Sequence, residues 1–173
     1  NETTEQIRQA MDKHEIYNAT RFYQPFLNDL SRWYIRRSRD RFNKGDSQAL
    51  ATLYYVLLEL TGLLAPFMPF LAEELYQNLT DKNFAKDKSD KLTSVHLGDF
   101  PGSSKGKIYQ SLHSQMKIIR AIAEAGNRKR RDEGIKIRQP LALLTVTLSP
   151  DDLGLIEMEK NNLEEILQDE LNV

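Results

Sequence analysis

Asp29-Leu30-Ser31-Arg32-Trp33-Tyr34-Ile35-Arg36-Arg37-Ser38-Arg39 lies inside a longer stretch, Thr20 to Phe42, that has no Gly and whose single Pro, Pro25, sits near its start. Pro is tolerated in a first helical turn. Phe22, Phe26, Leu30, Trp33 and Arg37 follow steps of four, four, three and four, which makes one helical stripe. Arg32, Arg36 and Arg39 fall at i, i+4 and i+7 on the other side, so their guanidiniums line one outer face. Arg37 and Arg41 turn toward the apolar side, where pairing with acids of a bundle is expected. Trp33, on the stripe, reads as core. Solvated faces usually mix signs, and no acid interrupts this line of arginines.

The flanks read as further helices. Glu2 to Tyr17 places Ile7, Met11 and His14 on one side, with Thr3 or Thr4 as caps. Asn43, Lys44 and Gly45 form a C-terminal stop, and Asp46 or Ser47 caps the next helix. That helix is apolar on nearly every side from Leu50 to Leu64, the pattern of a central helix. Pro66 ends it, and Pro69 starts another, Phe70 to Leu79. Glu73 and Glu74 in its early turns suit the helix dipole better than acid–base catalysis.

Thr80 to Leu92 is a lysine-rich loop, and Ser94 to Pro101 is expected to be extended. From Lys105 to Glu133 the helical period returns, with Ile108, Leu112, Met116, Ile119, Ala123 and Gly126 as the stripe. Lys117, Arg120, Glu124, Arg128 and Arg131 lie opposite, and Gly134 is the stop. Ile137 to Thr147 has β-type composition, but a single strand cannot satisfy its own edges, so partner strands are missing. Pro150, Asp151 and Asp152 make a turn or cap, and Leu163, Ile166 and Leu167 a short helix. The fold class expected is mainly α: a bundle of about five helices over residues 1–134, then a small incomplete α+β unit over 135–173.

The chain has 173 residues, 40% hydrophobic and 28% charged, which excludes disorder along its whole length. No apolar run of about 18 residues is present, so no membrane partner is expected, and no signal peptide is visible. The absence of Cys excludes disulfides, thiolate zinc and a cysteine nucleophile, and fits a cytoplasmic setting. His14, His96 and His113 lie on different elements without metal-ligand spacing. Gly102 and Gly106 lack the strand–loop–helix context of a phosphate loop. No catalytic constellation and no metal site emerge. The net charge of −1 conceals a net +5 over Ala19 to Lys44, a net +7 over Ser104 to Arg138, and −13 elsewhere. Two basic segments in an acidic remainder describe either a localised anion-binding face or two solvated helix faces.

The opening stretch resembles the signature of the anticodon-binding domain of isoleucyl-tRNA synthetases. Leu64-Ala65-Pro66-Phe67-Met68-Pro69-Phe70-Leu71-Ala72-Glu73-Glu74-Leu75-Tyr76 is similar to the helix junction of the class I synthetases for Ile, Val, Leu and Met. Gly134-Ile135-Lys136-Ile137-Arg138-Gln139-Pro140-Leu141 resembles the exit from the bundle in the isoleucine enzymes, and Ser94-Val95-His96-Leu97 fits a loop of the family. The first and third stretches together favour isoleucine over valine or leucine.

The resemblance implies a domain that binds the anticodon stem and loop of tRNA, without catalytic residues or cofactor of its own. ATP and Mg would serve a Rossmann-type catalytic domain elsewhere in the full enzyme, and an inserted domain would edit valyl products. Some members carry a cysteine zinc module, for which these residues hold no ligand. A monomeric protein is expected. An A-form stem is recognised through phosphate, ribose and shape, and arginine forks on a rigid helix suit that task. Arg32, Arg36 and Arg39 are the first candidate rail. Lys117, Arg120, Arg128 and Arg131 are a second, extended by Lys136 and Arg138. The competing readings are a helical protein–protein scaffold with basic faces, a stand-alone enzyme, or the same domain of a valine- or leucine-specific synthetase.

Overall fold

The computed structural model describes residues 1–80, 94–104, 106, 109–157 and 160–173, the last without the side chains of 160–162, and that of residue 157 is likewise outside the description. The lysine-rich loop expected after Thr80, and Lys105, Lys107 and Ile108 at the start of the long helix, lie outside the described residues. The chain is mainly α and forms two compact units, residues 1–108 and 109–173.

In the first unit, α1 (Glu2–Asp12), α2 (Ile16–Arg21) and α3 (Tyr23–Asp29) run into a π-helical segment (Leu30–Ile35). Then come α4 (Arg39–Asn43), α5 (Ser47–Leu64), α6 (Pro69–Thr80) and a 3-10 turn (Val95–Leu97). Ile7 and Ala10 of α1, Ala19 of α2, Tyr23 of α3, Leu60, Leu63 and Leu64 of α5, Ala72 of α6 and Val95 form one core. Phe22 and Phe26 pack on it, as their stripe predicts. Tyr23 belongs to it as well, with its hydroxyl donating to the Leu63 carbonyl at 2.5 Å and its ring edge-on to Phe67. Burial holds its phenol far above the ordinary range.

Several helix boundaries follow the sequence. Asp46 is the N-cap of α5, its carboxylate accepting from Gln48 and Ala49 N–H at 3.0 and 3.2 Å, and Gly45 ends α4 at φ +71°. Pro69 opens α6. Others differ. The first helix stops at Asp12, and His14 takes a left-handed φ of 59° outside it instead of joining its apolar side. Asn1, not Thr3 or Thr4, is the N-cap position. Ser94 to Pro101 is extended only around its 3-10 turn, which Ser94 caps through Oγ to His96 N–H.

α5 is less enclosed than its composition predicts. Its C-terminal half supplies the core, whereas Leu50 and Tyr55 are exposed. By length and composition alone its 18 residues could cross a membrane, contrary to the absence of such a run expected from sequence. Leu60, Leu63 and Leu64, however, face protein. Gly62 is needed for close approach, since a Cβ there would stand 2.7 Å from Cγ of Pro101.

In the second unit, α7 (Gln110–Asp132) packs with α8 (Pro150–Glu157) and α9 (Lys160–Leu171). Ile119, Ile156 and Leu163 are its centre, with Met116, Ile118, Ile122, Leu148 and Ile166 around them. By its contacts α7 groups with the tail helices, whereas its sequence grouped it with the preceding bundle. The β-type run does not form a strand: among the described residues 142–148 has no regular secondary structure and its backbone takes part in no ladder. The expected α+β unit is helical here. Ser149 caps α8, exchanging hydrogen bonds with Asp152.

Glu73 does not serve as a dipole partner in a first turn. Its carboxylate accepts from Ser94 Oγ at 2.9 Å and Val95 N–H at 3.0 Å, tying the 3-10 turn to α6. The Gln77 amide, then Ser94 and Val95 N–H, with a contribution from His96, hold its pKa below the ordinary carboxylate value. Asp46 is likewise held low, by the Arg41 guanidinium first and then by the Ala49 and Gln48 amides. Because the folded pKa values are depressed, the folded state binds fewer protons. Its gain is complete above the unfolded values near about 4 and disappears as pH falls through the folded ones. Circular-dichroism melts of the chain should show a level midpoint from neutral pH to about pH 5 and a decline below it. The double variant Asp46→Asn, Glu73→Gln should melt lower at neutral pH and show a shallower acid decline; an unchanged acid slope would mean that these two carboxylates do not govern it.

Candidate nucleic-acid interface

The arginine-rich stretch of the first unit is not the straight α-helix that its periodicity predicts. Ser31 Oγ donates back to the Leu27 carbonyl at 2.7 Å, a bond that bends helices, and the backbone widens into the π segment there. Ser38, buried, breaks the rod at φ −86°, ψ 2°. Tyr34 fastens the segment to α5, its hydroxyl donating to the Ala49 carbonyl at 3.1 Å while Phe42 packs edge-on at 6.1 Å.

Arg32, Arg36 and Arg39 are all exposed. The widened turn and the break at Ser38 remove the even i, i+4, i+7 rail. Arg36 instead folds back, with Nε donating to the Arg32 carbonyl at 2.7 Å and its guanidinium 6.0 Å from the centroid of the Trp33 ring. Trp33 and Arg37 are half-buried. Arg41 pairs with an acid as expected, Nε to Asp46 Oδ2 at 2.8 Å, which raises its own pKa.

On α7, Lys117, Arg128 and Arg131 are exposed and Arg120 half-buried, with Nε on the Met116 carbonyl at 3.1 Å. Arg128 stands 3.5 Å from Glu124, both side chains mostly in solvent, a pairing that salt screens readily. Lys136 and Arg138 are exposed on the loop after Gly134, which ends α7 at φ +68°.

The residue of this segment whose role the sequence reading missed is Arg130. It sits in a run of four basic residues, Arg128 to Arg131, yet is 4% exposed. Nη1 donates to the carbonyls of Lys136 at 3.1 Å and Gln139 at 2.9 Å, Nη2 to those of Leu171 at 2.5 Å and Asn172 at 3.3 Å. Among the described residues no carboxylate pairs with it. The compensation is the negative end of α9, where carbonyls lack helical partners. Its signal was present: Ile119, Ala123, Gly126 and Arg130 continue the apolar stripe at steps of four, three and four. The loop carrying Lys136 and Arg138 is therefore pinned by a buried arginine, and Gly126 allows Leu171 to approach, its methyl carbons lying 2.7 and 2.8 Å from where a Cβ would stand.

Arg130→Met should lower the unfolding free energy of the second unit by about 3 kcal/mol, since one change strands several carbonyls. Arg130→Lys keeps the charge without the fork and should recover less than half of that loss. Urea denaturation checks both, and equal stability of all three proteins would exclude the carbonyl cluster as a structural tie.

Among the described residues no three His, Cys, Asp or Glu side chains come together to hold a metal ion. Residues 1–147 match the family model for the anticodon-binding domain of tRNA ligase. The chain is 34% identical over 178 residues to an isoleucine–tRNA ligase of Protochlamydia amoebophila, covering 100% of this chain and 16% of that one. It is 38% identical to those of Dehalococcoides mccartyi and Streptomyces coelicolor, over 92% and 91% of its length and 16% and 15% of theirs. The chain thus spans about a sixth of the length of the curated relatives it matches. With a match that runs from the first helix through α7 and the loop beyond, the chain belongs to the anticodon-binding domain family of tRNA ligases.

Proposed function

We propose that this chain is the part of an isoleucine–tRNA ligase that holds the anticodon stem and loop of tRNA. The supporting observation is the exposure of Arg32, Arg36 and Arg39 on a segment that Tyr34 fastens to α5, in a chain of this family. Exposed guanidiniums on a fixed backbone offer planar forks of donors that match phosphate oxygens. Lys117, Arg131, Lys136 and Arg138 are a second set with the same exposure. Arg128 joins it once phosphate replaces Glu124. Arg120, turned onto its own helix, contributes least. An A-form stem offers phosphates and ribose hydroxyls at its surface, so these contacts fix position and shape, not base identity.

In this reading the whole ligase joins isoleucine to its tRNA as ATP is hydrolysed to AMP. ATP and Mg bind in a part of the ligase outside these 173 residues. The protein acts in the cytoplasm as a monomer and needs no membrane partner. The purified chain should bind tRNA weakly, with log K falling against log salt by roughly 0.7 to 0.9 per phosphate neutralised, and should give no isoleucine-dependent pyrophosphate exchange. Salt-independent binding would rule out the phosphate contacts, and measurable exchange would rule out a purely binding role.

The decisive test replaces Arg32, Arg36 and Arg39 together with Gln in the full-length ligase. Exposed substitutions change stability by within about 0.5 kcal/mol each, so the fold and isoleucine activation should survive. Each lost charge-assisted contact should cost on the order of 1 kcal/mol after solvent competition. The KM for tRNA should rise by on the order of a hundredfold with little change in kcat, because contacts made equally in ground and transition states act on binding. An unchanged KM would remove this face from the interface.

A further inference from the structure

The short helix α2 buries Ala19 in the core of the first unit, and this fixes what its other side presents. Tyr17, two residues earlier, lies on that outer side at 74% exposure. Arg21, one turn on, is exposed as well and sets its guanidinium 5.8 Å from the centroid of the Tyr17 ring. A single aromatic ring in water calls for no account, but this one is already paired with a cation and still stands mostly in solvent. The pairing recurs at Arg36 and Trp33, where the ring is half-buried and has less to offer. Arg21 also borders a cleft of about 460 Å3 beside α1, lined by Gln6, Gln9, Lys13 and Asn18. Glu15, the acid among the described residues that line it, accepts from the Asn18 amide at 2.9 Å, and Lys13 and Arg21 outnumber it. Beyond Arg21, the residues Gln24, Asn28 and Arg32 follow at steps of three, four and four, with Gln24 Nε2 donating to Asn28 Oδ1 at 3.3 Å. Gln24 to Arg32 is about 12 Å of helix, so Tyr17 and Arg21 stand on the same run of backbone as the first arginines of the proposed interface.

A paired stem stacks its bases on one another and has no ring face to give, whereas the bases of a loop can be splayed out onto aromatic rings and guanidinium planes. From the juxtaposition of the Tyr17–Arg21 pair with the cationic rim of the α1 cleft, we propose that these residues seat one unpaired nucleotide of the anticodon loop of tRNA. Its base stacks on the Tyr17 ring and the Arg21 guanidinium, and its phosphate turns toward Lys13 and Arg21. This rests on the tRNA-binding function proposed above and divides the labour within it: Arg32, Arg36 and Arg39 meet the phosphates of the paired stem, and the ledge of Tyr17 and Arg21 holds an unpaired base. Every base has a ring face, so the ledge contributes affinity without choosing among bases.

Fluorescence anisotropy with the full-length ligase tests this on two RNAs, the anticodon stem-loop of an isoleucine tRNA and the same stem continued as a blunt duplex without a loop. Tyr17→Ala should weaken the stem-loop on the order of tenfold, the loss of one stacked base, while Tyr17→Phe, which keeps the ring, stays within about twofold of the parent. Arg21→Gln should weaken it too and lower the salt slope by roughly 0.7, one phosphate on a single strand, whereas Tyr17→Ala leaves the slope as it was. The duplex should bind all of these proteins alike. Helical circular dichroism, unchanged in each, shows that the exposed substitutions leave the fold intact. Parent affinity for the stem-loop in both Tyr17→Ala and Arg21→Gln overturns the ledge, and leaves the tRNA reading standing where the triple change at Arg32, Arg36 and Arg39 still weakens binding. Equal losses on the duplex and the stem-loop also overturn it, because the contact is then not with an unpaired base. A parent ligase that binds neither RNA sinks the tRNA reading and the ledge together.

Discussion

A helix cannot end inside a folded chain without disposing of its last carbonyl groups, and this constraint sets the course of the backbone in both units. His14, Gly45, Gly134 and Asn172 adopt left-handed φ values of 59°, 71°, 68° and 52°. After each, the next N–H returns to a carbonyl five residues earlier: Glu15 to Ala10, Asp46 to Arg41, Ile135 to Arg130 and Val173 to Gln168. This closure reverses the chain within a few residues. Two of the four positions are not glycine and bear a steric cost. At Asn172 the side-chain amide offsets it by donating to the Arg138 carbonyl at 3.0 Å. In the second unit one residue serves two ends, since Arg130 gives its carbonyl to the closure of α7 and its guanidinium to the last carbonyls of α9.

Local chemistry made many boundaries readable in the sequence. Gly45, Asp46, Pro69 and Gly134 act through the conformations that their own atoms permit, so their roles appear in any context. The stripes of Phe22, Phe26 and Leu30 and of Met116, Ile119 and Ala123 were readable for a similar reason, since burial follows period. What the sequence hid depends on partners distant in the chain or on small departures from helical period. The π segment arises where Ser31 bonds backward, which is one of several conformations that Ser permits. Glu73 looks like a dipole partner until Ser94, 21 residues later, arrives at its carboxylate. The strand expected over 137–147 carries the right residues but lacks a neighbour, and a β propensity without a ladder does not make a strand.

The candidate site shows the same division. Composition reveals where basic residues cluster but not which of them are already used. Arg41 is bound to Asp46, and Lys129 lies 3.5 Å from Glu133 as Arg128 does from Glu124. Arg130 is buried, although it belongs to the most basic run in the chain. Only periodicity distinguishes it from Arg128 and Arg131, because it alone continues the stripe through Gly126. The resemblance carried by Trp33 to Arg39 located the family, whereas the outward face drawn for Arg32, Arg36 and Arg39 assumed a straight helix, and the helix is not straight.

Burying a guanidinium without a carboxylate has an electrostatic consequence that a buried ion pair does not. Carbonyl dipoles stabilise the charge of Arg130 locally but leave its net +1 uncancelled, so the field of that charge still reaches the surface. A carboxylate in the same place would have neutralised it and made the surrounding loop a weaker attractant for anions. The four carbonyls therefore let one residue act twice. It fixes the loop on which Lys136 and Arg138 stand, and it adds its own charge beneath them. Arg suits both tasks, because its planar fork satisfies several acceptors at once. A loop held by hydrophobic contacts alone could be equally rigid, but it would present two cations to a polyanion instead of three.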